Sequence, residues 1–345
     1  YCLLLTPHSA TVCHRHREDL AVTQVDLDAL NRLLWYFGAH RVITVAARAG
    51  ILRRLAEASS SIEELSTELE LHPLATGKVV RALTALGLVV ADDDGGYRVV
   101  ESLVPYFRAG SDDIAPFLEH HHGMYESWGA NLEPWLRGGE WQTRPRAPQD
   151  IARFGSAMRA IGTHAARRVV EHLDLSSTES MLDVGGGFGH WAQEFCRVHP
   201  GLRATVLDVP PVAEMAESAL AGGDLADRIQ FMGGDYLTSD YGAGYDLVLF
   251  ANVLHQESRD YAAAMVRKGA AATAPGGRVV VVDFAIDDAR QSSVMGALFA
   301  IQMRSFGDTH PEPAIRGWLE AADLRNVSRT DLGTDRWLIE GHKSG

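Results

Sequence analysis

The sequence predicts an α/β fold built on a Rossmann-like sheet of parallel strands. A buried strand over 181–184 runs into a glycine loop over 185–189, and a helical pattern begins directly after it. Three further apolar segments follow as strands, at 204–208, 229–233 and 245–250. Strands that alternate with helical segments are typical of parallel sheets joined by crossover helices.

The glycine loop indicates which ligand this fold would bind. Gly185, Gly187 and Gly189 allow a tight turn and a close approach of the backbone to a ligand. A dinucleotide fingerprint has its third glycine one position later, where this chain has His190. Asp183, just before the loop, suits a cation better than a pyrophosphate. The pattern favours S-adenosylmethionine, a sulfonium cation, over NAD. The alternative is a strand-to-helix turn that binds nothing.

Acidic residues that follow the next two strands support the cofactor interpretation. Asp208 stands at about the spacing from Asp183 at which an acid after the second strand reaches ribose hydroxyls. After the third strand, Asp235 can accept a hydrogen bond from an adenine amino group, and Tyr236 can pack on the ring. Each acid alone is typical of a solvated loop or a helix cap. Three of them at neighbouring strand ends predict one binding site.

From about residue 27 to its end, the chain resembles the bacterial small-molecule O-methyltransferases that are related to the plant caffeate-type O-methyltransferases. The matching segments are 182–189, 207–210, 234–237, 252–255 and 274–277, which read LDVGGGFG, LDVP, GDYL, NVLH and APGG. The resemblance implies a seven-stranded class I methyltransferase sheet, S-adenosylmethionine as cofactor, and an N-terminal, mostly α-helical winged-helix domain that forms a homodimer. The cofactor contacts are expected at Asp183, Gly185, Gly187, Gly189, Asp208, Val209, Gly234, Asp235, Tyr236 and Asn252.

Length and composition are consistent with two main domains. The chain has 345 residues, 46% of them hydrophobic. We divide it into four parts. Residues 1–24 are an extension expected to be poorly ordered, and 25–110 are a winged-helix dimerisation domain. Residues 111–175 are a helical connector, which in the resembled family roofs the substrate pocket, and 176–345 are a cofactor-binding domain. The net charge of −13 argues against a nucleic-acid partner. No apolar run is long enough to span a membrane, and three cysteines without a pairing pattern favour a cytoplasmic location.

The first domain has the pattern of a winged helix. A helical pattern covers 33–56, a capped helix begins at Ser61, another helix covers 73–83, and an acidic turn joins two short strands. Winged helices bind DNA in many regulators, but the last of these helices offers only Lys78 and Arg81. We therefore predict dimerisation, and a ligand-sensing DNA-binding regulator is the less favoured alternative.

The catalytic residues are expected after the fourth and fifth strands, because open parallel sheets bind ligands at the carboxyl ends of their strands. By resemblance, His255 matches a general base that removes the proton of an acceptor hydroxyl, and Asp283 matches an acid that orients it. The sequence departs from the family in two places. An Asp-Trp pair after the histidine is replaced by Gln-Glu, and Thr309 stands where a second acid is expected, with Asp308 or Glu312 as nearby alternatives.

Apolar and aromatic side chains are the candidates for a substrate wall. They are Phe154, Met158, Met295, Phe299, Met303 and Phe306, together with His310 as a hydrogen-bonding partner or second base. Several of them repeat every four residues and share one helical face, although core packing gives the same spacing. The predicted acceptor is a phenolic or polyketide-like small molecule of secondary metabolism. The alternatives on the same fold are C-methylation and hydroxylase or pericyclase-like chemistry that retains S-adenosylmethionine.

No metal site is expected. The consecutive His120, His121 and His122 point in different directions if they lie on a helix, so they cannot all bind one ion. A site built from the cysteine and histidines of 13–16 is the less favoured alternative.

Overall fold

The computed structural model describes residues 26–110, 112–142, 148–284, 286, 293–303, 307–333 and 335–345. The chain divides into two compact units, Tyr1–Ile161 and Gly162–Gly345. The predicted extension 1–24, its alternative metal segment 13–16 and Phe306 lie outside the described residues. The division of the chain into four parts remains a prediction.

The first unit is mostly helical and contains one small hairpin. Its helices are α1 (Leu27–Arg48), α2 (Ile51–Glu57), α3 (Ile62–Glu68), α4 (Pro73–Ala85), α5 (Val104–Phe107), α6 (Ala115–Leu136) and α7 (Pro148–Val170), and the boundary between the units falls within α7. The hairpin pairs β1 (Val89–Ala91) with β2 (Tyr97–Val99) in antiparallel register. A short 3₁₀ turn, Glu101–Leu103, leads into α5.

Local sequence signals set the ends of these helices. At the start of α3, the Ser61 hydroxyl accepts a hydrogen bond from the Glu64 amide, and the Glu64 carboxylate accepts one from the Ser61 amide. The predicted cap is therefore a full capping box. The helical pattern predicted over 33–56 is two helices instead of one. The helical segment is interrupted at Gly50, whose φ of 80° is in the left-handed region that favours glycine. The apolar side chains of this unit pack into a core of their own around Leu52 and Leu83.

The second unit contains a seven-stranded sheet, which confirms the predicted fold class. Its strands are β3 (Ser180–Val184), β4 (Arg203–Asp208), β5 (Ile229–Gly233), β6 (Tyr245–Ala251), β7 (Thr273–Phe284), β8 (Leu324–Asp331) and β9 (Arg336–Lys343). Their order in the sheet is β5-β4-β3-β6-β7-β9-β8. The first five of these neighbours are parallel, and β9 runs antiparallel to both β7 and β8.

Helices cover both faces of this sheet. Besides the end of α7, the described helices of this unit are α8 (His190–Val198), α9 (Pro210–Leu220), α10 (Arg259–Ala272), α11 (Val294–Gln302) and α12 (Glu312–Ala321). One buried core joins the sheet to α8 and the end of α7, and a second joins its other face to α10 and α12. Because the strands are parallel, the ends of β3, β4, β6 and β7 meet at one edge, which places their following residues together. Among the helices described, none combines the length and apolar character that crossing a bilayer requires.

Candidate active site

The glycine loop leaves β3 at the carboxyl edge of the sheet. The φ angles of Gly185, Gly187 and Gly189 are 68°, 58° and 68°, a region that residues with a Cβ rarely adopt. A Cβ at Gly185 would lie 2.6 Å from a methyl of Val253, whereas no described atom lies within 4 Å of that position at Gly187. The loop is closely packed on one side and open at Gly187, where a ligand can approach the backbone.

Asp208 connects the end of β4 to this loop. Its Oδ2 accepts a hydrogen bond from the Gly187 amide at 2.8 Å, and its Oδ1 accepts one from the Val209 amide at 2.8 Å. Burial raises the pKa of Asp208, and these two amides oppose that rise. Each carboxylate oxygen keeps a further lone pair. Asp208 can therefore also accept hydrogen bonds from a ribose.

Asp183 lies under the loop with 0% of its surface exposed. Neither of its oxygens has a hydrogen-bond partner in the part of the chain that the structure describes. Burial raises the pKa of Asp183 to about 7; the backbone amide of Ala192, which acts on the carboxyl without meeting hydrogen-bond geometry, opposes this rise, and the Asp208 carboxylate adds to it. A buried, unpartnered carboxylate is costly. A positively charged cofactor therefore fits this donor and acceptor set better than an anionic one.

The loop after β5 is tied to the turn after β6. Tyr236 Oη donates to Glu257 Oε1 at 2.8 Å. Burial raises the pKa of Tyr236, and the neighbouring Glu257 adds to the rise. Asp235 is exposed and accepts a backbone amide two residues on, while the Gly234 amide donates to the carbonyl of Asp208 at 2.8 Å. The structure therefore brings these predicted cofactor residues beside the glycine loop, and Glu257 is a contact that the sequence did not predict.

His255 and Asp283 form a buried pair. His255 lies in a 3₁₀ turn, Leu254–Gln256, and its Nδ1 lies 2.7 Å from Asp283 Oδ1, with the two side chains 5% and 6% exposed. Burial raises the pKa of Asp283, but the charge and hydrogen bond of His255 outweigh this and hold that pKa below its usual value. A carboxylate only accepts hydrogen bonds, so Nδ1 carries the proton and Nε2 is left as the acceptor.

Two phenylalanine rings pack around this imidazole. The ring centroid of His255 lies 4.9 Å from that of Phe299 and 5.5 Å from that of Phe284, and the two phenyl rings are stacked 4.1 Å apart. Phe299 is therefore the predicted wall residue that the structure places at His255. Met295 lies on α11 and Met303 is its C-cap, and both are half-buried. Phe284 was not predicted, although it directly follows Asp283.

His310 lies beside the same turn and is directed at its backbone. Its Nε2 lies 3.1 Å from the carbonyl oxygens of both Leu254 and Glu257. The ring is buried and packs edge-on against Trp318 at 5.0 Å. Burial lowers the pKa of His310, although the charge of Asp283 and these carbonyls oppose the change. The observed contacts are those of a support for the turn. The predicted contact with substrate remains a prediction.

Asn252 directly follows β6 and contacts an arginine that the sequence analysis did not identify. Its φ is 53°, and its Oδ1 accepts a hydrogen bond from Arg336 Nε at 2.9 Å. Arg336 Cζ lies 4.7 Å from the ring centroid of Phe284. The one sequence signal for Arg336 is a cation directly before the apolar residues of β9.

The other candidate residues lie in the first unit. Phe154 and Met158 are on α7, and the Phe154 ring lies 5.5 Å from that of His120. Their contact with a substrate remains a prediction. On α6, the ring of His121 lies near that of His40, and His122 contacts Arg41, so the consecutive histidines do point apart. Within the described ranges, no three or more histidine, cysteine or acidic side chains are grouped as metal ligands.

Comparison with known proteins agrees with this geometry. Residues 117–314, more than half of the chain, match the family model described as an O-methyltransferase domain. The 3-hydroxy-5-methyl-1-naphthoate 3-O-methyltransferase of Streptomyces sahachiroi is 27% identical over 305 residues, which are 83% of this chain and 86% of that protein. The L-tyrosine C(3)-methyltransferase of Streptomyces lavendulae is 27% identical over 295 residues, 80% of each chain.

A solved structure shows the same fold. Human N-acetylserotonin methyltransferase in complex with S-adenosylmethionine matches 94% of this chain and 100% of its own, with a TM-score of 0.81 at 21% identity. The family match, the glycine loop and the acids around it lead to one assignment. The chain belongs to the O-methyltransferase family, and it is an enzyme whose cofactor is S-adenosylmethionine.

Proposed function

We propose that this enzyme transfers a methyl group from S-adenosylmethionine to the hydroxyl oxygen of an aromatic small molecule, with His255 as the general base. The observation that carries the proposal is the 2.7 Å hydrogen bond between His255 Nδ1 and Asp283 Oδ1. It lies at the sheet edge where this fold binds its ligands. It also leaves Nε2 as the nitrogen that can receive a proton.

The chain's own groups prepare the acceptor oxygen. Bound S-adenosylmethionine supplies an electrophilic methyl carbon attached to a sulfonium. His255 Nε2 would take up the proton of the acceptor hydroxyl, and Asp283 would stabilise the imidazolium that results. A positioned base of this kind contributes about 10²–10⁴-fold to the rate. The remaining acceleration comes from holding the acceptor oxygen in line with the bond that breaks.

The cofactor contacts are part of the same proposal. Asp208 binds the ribose hydroxyls, Asp235 and Tyr236 hold the adenine, and the backbone of the glycine loop approaches the cofactor at Gly187. Asp183 stabilises its positive charge from below the loop. The support is the position of all these groups at one sheet edge and the open space at Gly187.

The rings around His255 favour a flat acceptor. Phe284 and Phe299 offer stacked aromatic surface beside the base, and the half-buried Met295 and Met303 extend an apolar wall along α11. The similar Streptomyces proteins are named for a naphthoate and a tyrosine, both aromatic. We propose a phenolic or polyketide-like metabolite of secondary metabolism as the acceptor.

The test separates the base from the cofactor site. Methyl transfer from labelled S-adenosylmethionine to a panel of phenols is measured for wild type, His255→Ala and Asp208→Ala, and cofactor affinity is measured by calorimetry. His255→Ala should lose about 10²–10⁴-fold in turnover and keep its cofactor affinity. Asp208→Ala should lose about tenfold or more in affinity, because it removes charge-assisted hydrogen bonds. Near-normal turnover of His255→Ala would exclude the proposed base.

C-methylation is a second candidate, favoured by the similarity to the tyrosine C(3)-methyltransferase. A base that removes a phenolic proton also raises the nucleophilicity of the adjacent ring carbon, so the same site serves both reactions. NMR of the product distinguishes a methoxy group from a methyl group on carbon. A product formed without methyl transfer would instead point to the non-methylating alternatives.

For the first unit we propose a winged helix that serves dimerisation. The order of α3, α4 and the β1–β2 hairpin supports it, and so does the acidic turn between the two strands, which is unfavourable for DNA. The partner is a second copy of the chain. We also propose a cytoplasmic location, because the cysteines lack a pairing pattern.

A further inference from the structure

Arg336 is a half-buried cation near His255, and its side chain forms no ion pair with a described acidic residue. The one hydrogen bond of this side chain runs from Nε to the neutral amide oxygen of Asn252. Among the residues that the structure describes, no carboxylate lies within ion-pair distance of its guanidinium. Burial lowers the pKa of Arg336, and the charges of Asp283 and Asp335 oppose this from a greater distance. The guanidinium lies over the Phe284 ring, and its hydrogen-bonding edge is the part left for an anionic ligand.

Asp283, whose charge acts on Arg336, already hydrogen-bonds other groups through one of its oxygens. Asp283 Oδ1 accepts from His255 Nδ1 and from the Phe284 amide. A guanidinium carries five N–H donors, one on Nε and four on Nη1 and Nη2. In the described part of the chain, the four donors on Nη1 and Nη2 of Arg336 have no acceptor. These nitrogens are not sealed from solvent, since neither is among the buried unpartnered atoms of the structure. They are therefore available to a ligand.

The fold fixes the distance between this cation and the base. Arg336 opens β9 and pairs with Phe284 at the end of β7. Its Cζ lies 4.7 Å from the Phe284 ring centroid, which lies 5.5 Å from the His255 ring, so the cation and the base are within about 10 Å of each other. One or two fused aromatic rings span such a distance. Asn252 accepts the hydrogen bond of Nε, and the edge of the guanidinium formed by Nη1 and Nη2 is left to bind a ligand.

We propose that Arg336 binds a carboxylate on the aromatic substrate, so that the acceptors of this enzyme are hydroxylated aromatic acids. The proposal rests on the proposed function, because it assigns a second contact to the same acceptor molecule. The planar fork of an arginine binds a carboxylate through two parallel hydrogen bonds, which a lysine cannot reproduce. The bond to Asn252 makes that residue a positioning residue for the fork.

The experiment compares a hydroxylated naphthoic acid with its isosteric carboxamide. Wild type should favour the acid in kcat/KM by about 10–150-fold, the ratio that a charge-assisted pair of about 1.5–3 kcal/mol gives. Arg336→Gln should lose this preference through a raised KM for the acid, with little change for the carboxamide. Arg336→Lys should be intermediate. Arg325→Gln, a change at an exposed arginine of β8, should leave both substrates unaffected.

Two outcomes would overturn the proposal. One is a wild type that uses the carboxamide as well as the acid. The other is an Arg336→Gln variant that loses activity on both substrates equally, which would indicate a structural role. Calorimetry of the acid with wild type and Arg336→Gln, in the presence of demethylated cofactor, tests the contact without turnover. If the acid binds through Arg336 but neither it nor any phenol of the panel is methylated, the proposed function fails and the anion contact stands.

Discussion

At the scale of single residues, two buried carboxyl groups at the active-site edge have pKa values that are shifted in opposite directions. Asp183 has no partner among the described residues, and burial raises its pKa to about 7. Asp283 is almost as buried, but the adjacent His255 holds its pKa below the usual value. The two pKa values differ because the neighbouring groups differ, and not because one carboxyl is much more deeply buried than the other. The raised pKa of Asp183 fits a carboxyl that pairs with a cation when the cofactor binds, and the lowered pKa of Asp283 fits an ionised carboxylate behind the base.

The raised pKa of Asp183 predicts how stability depends on pH. Folding favours its protonated form, so this contribution is complete below the pKa of the unfolded chain, about 4, and is lost as the pH rises through about 7. Asp183→Asn has no such titration. In cofactor-free protein, the Tm of the variant minus that of wild type should therefore increase between about pH 4 and pH 8. A pKa change of this size corresponds to at most about 4 kcal/mol.

Asp283→Asn provides the control for this measurement. Its pKa is lowered in the folded protein, so its contribution is present above the unfolded value and is lost as the pH falls through the folded value. The Tm difference for Asp283→Asn should therefore change only in the acid range. A Tm difference for Asp183→Asn that is flat with pH would show that this carboxyl is not desolvated.

At the scale of elements, the sequence predicts best where one segment carries both structure and chemistry. The apolar strands with acids at their ends locate Asp183, Asp208 and Asp283 at one edge, since parallel order follows from alternation with helices. Arg336 escapes this argument. It meets Asn252 from 84 residues away, through a strand that runs antiparallel beside β7. No local sequence pattern indicates that β9, and not β8, pairs with β7. The contact between Arg336 and Asn252 is therefore seen only in the folded sheet.

The turn that carries His255 shows how a family position is replaced. The segment before α12 lies against this turn so closely that a Cβ at Gly307 would stand 2.5 Å from the carbonyl oxygen of His255. Thr309, where the family has a second acid, hydrogen-bonds a carbonyl of α11 and makes no bond to His255 among the described residues. His310 instead holds two carbonyls of the turn.

His310→Phe should therefore misplace the base. The variant keeps an aromatic ring against Trp318 but loses the one Nε2–H donor that the two carbonyls share, a hydrogen bond worth about 1 kcal/mol. We expect kcat to fall by about tenfold, with the KM for S-adenosylmethionine unchanged. His310→Gln, which keeps an N–H donor, should recover part of the loss. The pH profile of kcat should keep its shape in both variants, because His255 is still the base. A profile that loses its pH-dependent limb in His310→Phe would make His310 the base instead.

At the scale of the whole molecule, the first helix leaves several large apolar side chains exposed. Helix α1 presents Leu34, Trp35 and Phe37 with 63%, 68% and 56% of their surface exposed. Contiguous patches of this kind mark sites of protein association. A second copy of the chain is the proposed partner, and a twofold dimer would bury the same helix in both copies.

Light scattering after size exclusion should therefore give a dimer at micromolar concentration. Trp35→Glu combined with Phe37→Glu should produce monomers, because two charges would have to be buried in the interface. Val198→Glu, a change at an equally exposed apolar residue of the second unit, should leave the dimer intact. A variant lacking residues 1–25 decides whether the chain's own N-terminal segment covers α1 instead. A wild type that is monomeric, and that dimerises only after this truncation, would refute the proposed dimer and assign the apolar face of α1 to that segment.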